Sequence, residues 1–182
     1  MVAVRPFKPN DLFHLNLTNL DPLVENYQLN FYLEYLGKWP SLLQVVEDKG
    51  QIVGYIMGKV EEQPKSMALS EHYTPWHGHI TALTIAPSYR RQGLARLLTK
   101  SFEKACNEQD AWFVDLYVRE SNEVAINLYK SMGYSVFRRV VGYYAKPDED
   151  GFDMRKPLDR DKDHKHIREN GENFRVNPED VS

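Results

Sequence analysis

The stretch LTIAPSYRRQGLARLLTKSFEKA, Leu83 to Ala105, constrains the architecture of this chain more than any other. A strand-like apolar run meets Pro87, two arginines and a glycine follow, and an amphipathic helix begins, with Leu94, Leu97, Leu98, Phe102, Ala105 and Cys106 on one face. Next comes AWFVDLYV, which alternates: Trp112, Val114, Leu116 and Val118 face one way, Phe113, Asp115 and Tyr117 the other. Strand, helix and strand in that order form a crossover unit around which the remaining elements must be arranged.

Those elements are legible to varying degrees. NDLFHLNLTNL opens a helix with Asn10 or Asp11 as cap and Leu12, Phe13, Leu15 and Leu20 as apolar positions; FYLEYLGKWP, beyond Pro22, is a second helix. SLLQVVEDKGQIVGYIMGKVEE reads as a hairpin turning at Asp48–Gly50, and HGHITALTIAP as a strand. QPKSMALSEHYTP has no clean period and reads as a surface loop. SNEVAINLYKSMGY is a short helix capped by Asn122 and stopped at Gly133, followed by the strands SVFRRVVGYYA and FDMRKPL around KPDEDG. The order predicts a mixed α/β fold, a largely antiparallel central sheet flanked by helices, in one domain over residues 1–158. Beyond Leu158 the only aliphatic or aromatic residues are Ile167, Phe174, Val176 and Val181, so 159–182 is expected to be a flexible or partner-bound charged tail.

Composition narrows the function classes. A formal charge of −3 argues against nonspecific nucleic-acid binding, and no apolar run reaches membrane-spanning length. A single cysteine, Cys106, cannot form an internal disulfide, and the N-terminus lacks a signal-peptide core; both predict a cytoplasmic protein. His77 and His79 share a strand face, but no third ligand has suitable spacing, so no metal is predicted.

The segment Arg90-Arg91-Gln92-Gly93-Leu94-Ala95 lies where a strand hands over to a helix. A helix N-terminus carries unpaired N–H donors and partial positive charge, glycine admits a ligand to the backbone, and arginines add charge: together these make a pyrophosphate cradle. The sequence has no G-x-x-x-x-G-K-S/T and no three-glycine dinucleotide fingerprint. RRQGLA after a strand resembles instead the R/Q-x-x-G-x-G/A motif of the GNAT acetyltransferase superfamily. The resemblance implies a GNAT fold, acetyl-CoA as cosubstrate, and contacts from Leu83, Thr84, Ile85, the motif itself, Asn122 and Tyr129. Asn122 and Tyr129 are seven residues apart on one helix face, where the family places the thioester. On pattern alone, Tyr129 reads better as a core aromatic with its hydroxyl at the surface than as a catalytic group.

The acceptor amine is constrained by protonation. An α-amine with a pKa of about 8 is on the order of one-fifth neutral at physiological pH, whereas a lysine of about 10.4 needs a strong base. HITALTIAP contains no Asp or Glu, which favours an α-amine deprotonated through water or a histidine. NLDPLVENYQLNFYLEYLGKWP, WHGHITALTIAPSYRRQGLA, FVDLYVRESNEVAINLYKSMGYSVFRRVVGYY and DMRKPL are similar to the catalytic-subunit family of NatB N-terminal acetyltransferases. That resemblance implies acetylation of the initiator methionine of nascent chains beginning Met-Asp, Met-Glu, Met-Asn or Met-Gln. It also implies a helical-repeat auxiliary subunit that brings the enzyme to the ribosome, with no direct nucleic-acid or membrane contact. It assigns Tyr129 and His79 to catalysis, and Glu25, Tyr27, His79, Thr81, Tyr143 and Tyr144 to the peptide. Asp115 is read as structural or solvent-facing. Part of the apolar surface of the first two helices, which includes Phe13, Leu17, Phe31, Tyr35 and Leu36, is expected to dock the partner, with 159–182 helping as a strap. The alternatives are another GNAT N-terminal or small-amine acetyltransferase, or a non-catalytic acetyl-CoA-binding subunit.

Overall fold

The computed structural model describes residues 2–19 and 26–181. Their strands are β1 (Val2–Pro6), β2 (Leu43–Asp48), β3 (Gln51–Glu61), β4 (His77–Ile85), β5 (Phe113–Arg119), β6 (Ser135–Ala145), β7 (Asp148–Pro157) and β8 (Arg175–Val176). The α-helices are α1 (Asn16–Asn19), α2 (Leu29–Lys38), α3 (Leu94–Glu108) and α4 (Glu123–Ser131). Hydrogen bonding orders the sheet β1-β2-β3-β4-β5-β7-β6-β8; the β1–β2, β2–β3, β5–β7 and β6–β7 pairs are antiparallel, and the β4–β5 and β6–β8 pairs are parallel. The β4–α3–β5 crossover is the unit expected from the sequence, and the fold is mixed α/β. The chain divides into two compact units, residues 1–60 with 80–109 and residues 61–79 with 110–182.

In the first unit, β2 and β3 form the expected hairpin, closed by the Asp48↔Gln51 pair. Leu42, Leu43, Val45, Val46, Val53, Tyr55 and Ile56 are completely buried. Each such aliphatic side chain contributes about 1.5–3 kcal/mol relative to exposure. β1 was not anticipated: five residues on a sheet edge, mostly exposed, carry little periodic signal. The first helix is likewise different from expectation. Pro9–His14 is a 3-10 segment that starts after Lys8, and Asp11 lies inside it. The Asp11 carboxylate accepts from the Lys8 amide at 2.7 Å and pairs with Arg5 at 2.7 Å. Tyr35, expected on the outer surface, is only 5% exposed and belongs to the core cluster with Phe7, Leu15 and Tyr32. Phe31 and Leu36 pack against that cluster. The outward apolar residues of this region are Phe13, Leu17, Leu29 and Leu33.

In the second unit, residues 159–181, expected to be a flexible or partner-bound tail, carry a short strand and two 3-10 turns. β8 pairs with β6 through Arg139↔Arg175 and Val140↔Val176. Polar and cationic contacts replace the missing aliphatic core. Buried Asp161 accepts from the amides of Lys165 at 2.9 Å and His166 at 3.0 Å. The Arg160 guanidinium lies 4.2 Å from the Trp112 ring, and that of Arg168 lies over Phe137 and Phe174 at 4.1 and 3.7 Å. At Gly171 a Cβ would fall 1.9 Å from the Val136 carbonyl oxygen, so only glycine fits there. Among the described residues no helix is long and apolar enough to cross a membrane.

Candidate active site

The first unit holds the RRQG turn. Arg91 and Gly93 both have positive φ, 62° and 79°, and nothing lies within 4 Å of a Cβ built on Gly93. Gly93 is the N-cap of α3, whose first backbone bond runs from the Leu97 amide to the Gly93 carbonyl at 3.0 Å. The amides of Leu94, Ala95 and Arg96 therefore have no acceptor within the helix. Arg90 turns back, its Nε donating to the Ile85 carbonyl at 3.2 Å, while Arg91, Gln92 and Gly93 are exposed. An open left-handed turn feeding a 15-residue helix fits a diphosphate in both shape and charge. Leu83 is partly exposed near the end of β4; Thr84 and Ile85 are buried.

The peptide-binding candidates of this unit surround Thr81. The Tyr27 ring stacks on Phe31 at 4.5 Å, and its hydroxyl donates to the Thr81 carbonyl at 3.4 Å. The Thr81 hydroxyl shares a 2.8 Å hydrogen bond with Tyr35, a partner that the sequence reading placed on the outer surface. Glu25 lies outside the described residues.

The second unit holds the ionisable groups. His79 and Asp115 face each other across the β4–β5 ladder, and His79 Nδ1 donates to Asp115 Oδ1 at 2.6 Å. Asp115 Oδ2 is 3.6 Å from His77 Nε2, and His77 Nδ1 donates to the Pro75 carbonyl at 2.7 Å. Asp115 is 3% exposed, which corrects the solvent-facing reading. Burial alone would raise its carboxyl, but His77, His79 and Arg155 outweigh that and hold it below the usual carboxylate range. A signal for this pairing was present in the sequence: a carboxylate in an otherwise apolar strand must find a charged or donor partner.

Aromatic rings line the same unit. Tyr117 lies 5.8 Å from the His79 ring and stacks on Tyr143 at 4.6 Å. Tyr144 stands edge-on to Tyr143 at 5.0 Å, under the Arg119 guanidinium at 4.1 Å. Tyr117 was not among the predicted residues. Asn122 caps α4, its Oδ1 accepting from the Ala125 amide at 3.2 Å, so a ligand contact would come from its Nδ2. Tyr129, two turns on, is 8% exposed, and burial pushes its phenol well above the ordinary value. A cavity of about 740 Å³, lined by residues including Lys130, His164 and Arg168, contains none of the predicted site residues. Among the described residues, no cluster of three or more His, Cys, Asp or Glu side chains is arranged to hold a metal ion.

Comparison with known proteins matches residues 10–134 to the acetyltransferase (GNAT) family. The catalytic subunit naa20 of the N-terminal acetyltransferase B complex of Schizosaccharomyces pombe is 52% identical, covering 100% of this chain and 99% of that protein. The Saccharomyces cerevisiae subunit NAT3 is 39% identical, covering 100% and 99%. The crystal structure of Chaetomium thermophilum Naa20 in complex with a bisubstrate analogue superposes with a TM-score of 0.95 at 54% identity, covering 99% of each chain. A NatB complex bound to a bisubstrate inhibitor gives 0.83 at 42%, also covering 99% of each. With the family model spanning most of the chain and these relatives matching it end to end, the chain belongs to the GNAT acetyltransferase family, among the catalytic subunits of N-terminal acetyltransferase B.

Proposed function

We propose that this chain transfers the acetyl group of acetyl-CoA to the α-amine of methionine in chains beginning Met-Asp, Met-Glu, Met-Asn or Met-Gln. The observation that carries the substrate assignment is His79, partly exposed on β4 and held through Nδ1 by buried Asp115. It is a polar receptor for a second side chain that presents an acceptor oxygen. Thr81, two residues along the same strand, supplies a hydroxyl. Tyr27, with Glu25 as the sequence resemblance places it, and the Tyr143–Tyr144 pair are assigned to the methionine and the peptide backbone.

Acetyl-CoA supplies the activated acyl group. Arg90, Arg91 and the amides from Gln92 to Ala95 hold its diphosphate, Asn122 holds the pantetheine arm, and the backbone of Leu83–Ile85 orients and polarises the thioester carbonyl. The neutral α-amine nitrogen forms the new C–N bond as the C–S bond breaks, its proton passing to water. Tyr129 donates a hydrogen bond to the departing thiolate, which takes its proton from water. Burial raises the phenol's pKa, so the hydroxyl stays protonated and acts as a hydrogen-bond donor rather than as a proton source.

The exposed Phe13, Leu17, Leu29 and Leu33 of the first unit are the surface that an auxiliary subunit would cover. Relatives solved as NatB complexes support such a partner, and we place the chain with it at the ribosome in the cytoplasm. The test is regiochemical. A Met-Asp peptide with one internal lysine, incubated with the complex and acetyl-CoA, is expected to carry acetyl on its α-amine alone by tandem mass spectrometry. Comparable modification of the lysine, or of a peptide with a blocked N-terminus, would contradict the assignment.

A further inference from the structure

We propose that Asp115 is a positioning residue that makes the charge on His79 the selector between acidic and amide second residues in the substrate. This deepens the substrate assignment above and rests on His79 meeting that second side chain. The geometry is a 2.6 Å hydrogen bond between groups directly opposite each other on parallel strands. A buried ionised carboxylate only accepts, so the His79 Nδ1 carries a proton whether the ring is neutral or charged. Protonation therefore acts at Nε2 alone. In the neutral ring Nε2 accepts a hydrogen bond, and in the imidazolium it donates one.

The two substrate classes respond differently to that change. The carboxylate of Asp or Glu only accepts; it pairs with the imidazolium and faces lone pair to lone pair with the neutral ring. The carboxamide of Asn or Gln offers both an oxygen and an NH₂ group and pairs with either state by rotating. Selectivity for Met-Asp over Met-Asn thus follows the charged fraction of His79.

Further titratable and charged groups among the described residues pack around this pair. On β5, Tyr117 faces His79, and burial raises its phenol well above the ordinary value, so it stays neutral. Tyr143 of β6 stacks on Tyr117. His77 of β4 lies behind Asp115, with Glu61 of β3 4.0 Å from its Nε2. Arg155 of β7 acts on Asp115 and, with Arg138 of β6, clasps Asp153 at 2.9 Å. The α-amine of the substrate also titrates near neutrality, but it is common to both peptides and cancels in their ratio. The substrate carboxylate, with a pKa of about 4, is ionised throughout.

The experiment measures kcat/KM for matched Met-Asp and Met-Asn peptides from pH 6 to 9, using the complex of this chain with its auxiliary subunit. In the wild type the Met-Asp to Met-Asn ratio is expected to fall with rising pH, by roughly ten- to a hundredfold in all. Asp115→Asn keeps an acceptor for Nδ1 but removes the charge that favours the imidazolium, so the fall moves to lower pH. His79→Gln cannot titrate, and its ratio is expected to be flat. A flat wild-type ratio, a fall that persists in His79→Gln, or an unshifted fall in folded Asp115→Asn would overturn the inference. If both peptides are instead poorer substrates than Met-Leu, it is the underlying substrate assignment that fails.

Discussion

The double variant Arg91→Glu/Gly93→Glu loses acetyl-CoA binding by at least about a hundredfold, measured by calorimetry on the folded protein. Three effects act together. The left-handed φ of 79° at Gly93 disfavours any side chain, at a cost of roughly 1–2 kcal/mol. The new Cβ and carboxylate occupy open space that the diphosphate would enter. Two negative charges then stand at a helix N-terminus, whose partial positive charge favours anions, and one of them replaces a cation. About 2.8 kcal/mol in sum gives the hundredfold loss. α3 itself should survive, because its face of Leu94, Leu98, Phe102 and Cys106 is buried independently of the turn. Unchanged affinity in a folded double variant would remove the coenzyme from this turn.

Tyr129→Phe lowers kcat by about a hundred- to a thousandfold while KM moves little. The substitution keeps the buried ring and its edge-on contact with Tyr134 at 5.6 Å, and removes only the hydroxyl. If that hydroxyl acts on the departing sulfur, its contribution exists in the transition state and not in the ground state, so the loss falls on kcat. A change confined to KM would make Tyr129 a binding residue and leave the departing thiolate without its hydrogen-bond donor.

Legibility in the sequence tracked how local the determining physics is. The β4–α3–β5 crossover and the β2–β3 hairpin were readable because each is specified by its own periodicity and turn residues. Gly93 was readable for the same reason: a glycine between a strand and an apolar helix face has a local conformational meaning. β1 was missed because an exposed five-residue edge strand is defined by its partner β2. The contacts of 159–181 were not legible because they use a buried carboxylate, stacked guanidiniums and a glycine against a carbonyl, none of which counts as apolar content. In the candidate site, residues sharing one strand or helix face could be named from the sequence, and their partners could not. His79 was proposed without Asp115, and Thr81 without Tyr35, because both pairings depend on contacts distant in sequence.

The most direct measurement is kcat/KM of the complex over four peptides differing only at their start: Met-Asp, Met-Asn, Met-Leu and Ser-Ala. A polar receptor left unpaired costs about 1–3 kcal/mol per group. Met-Asp and Met-Asn are therefore predicted to exceed Met-Leu and Ser-Ala by at least roughly tenfold, and His79→Ala to narrow the gap mainly by lowering Met-Asp. Preference for the Met-Leu or Ser-Ala peptide in the wild type would contradict the substrate assignment.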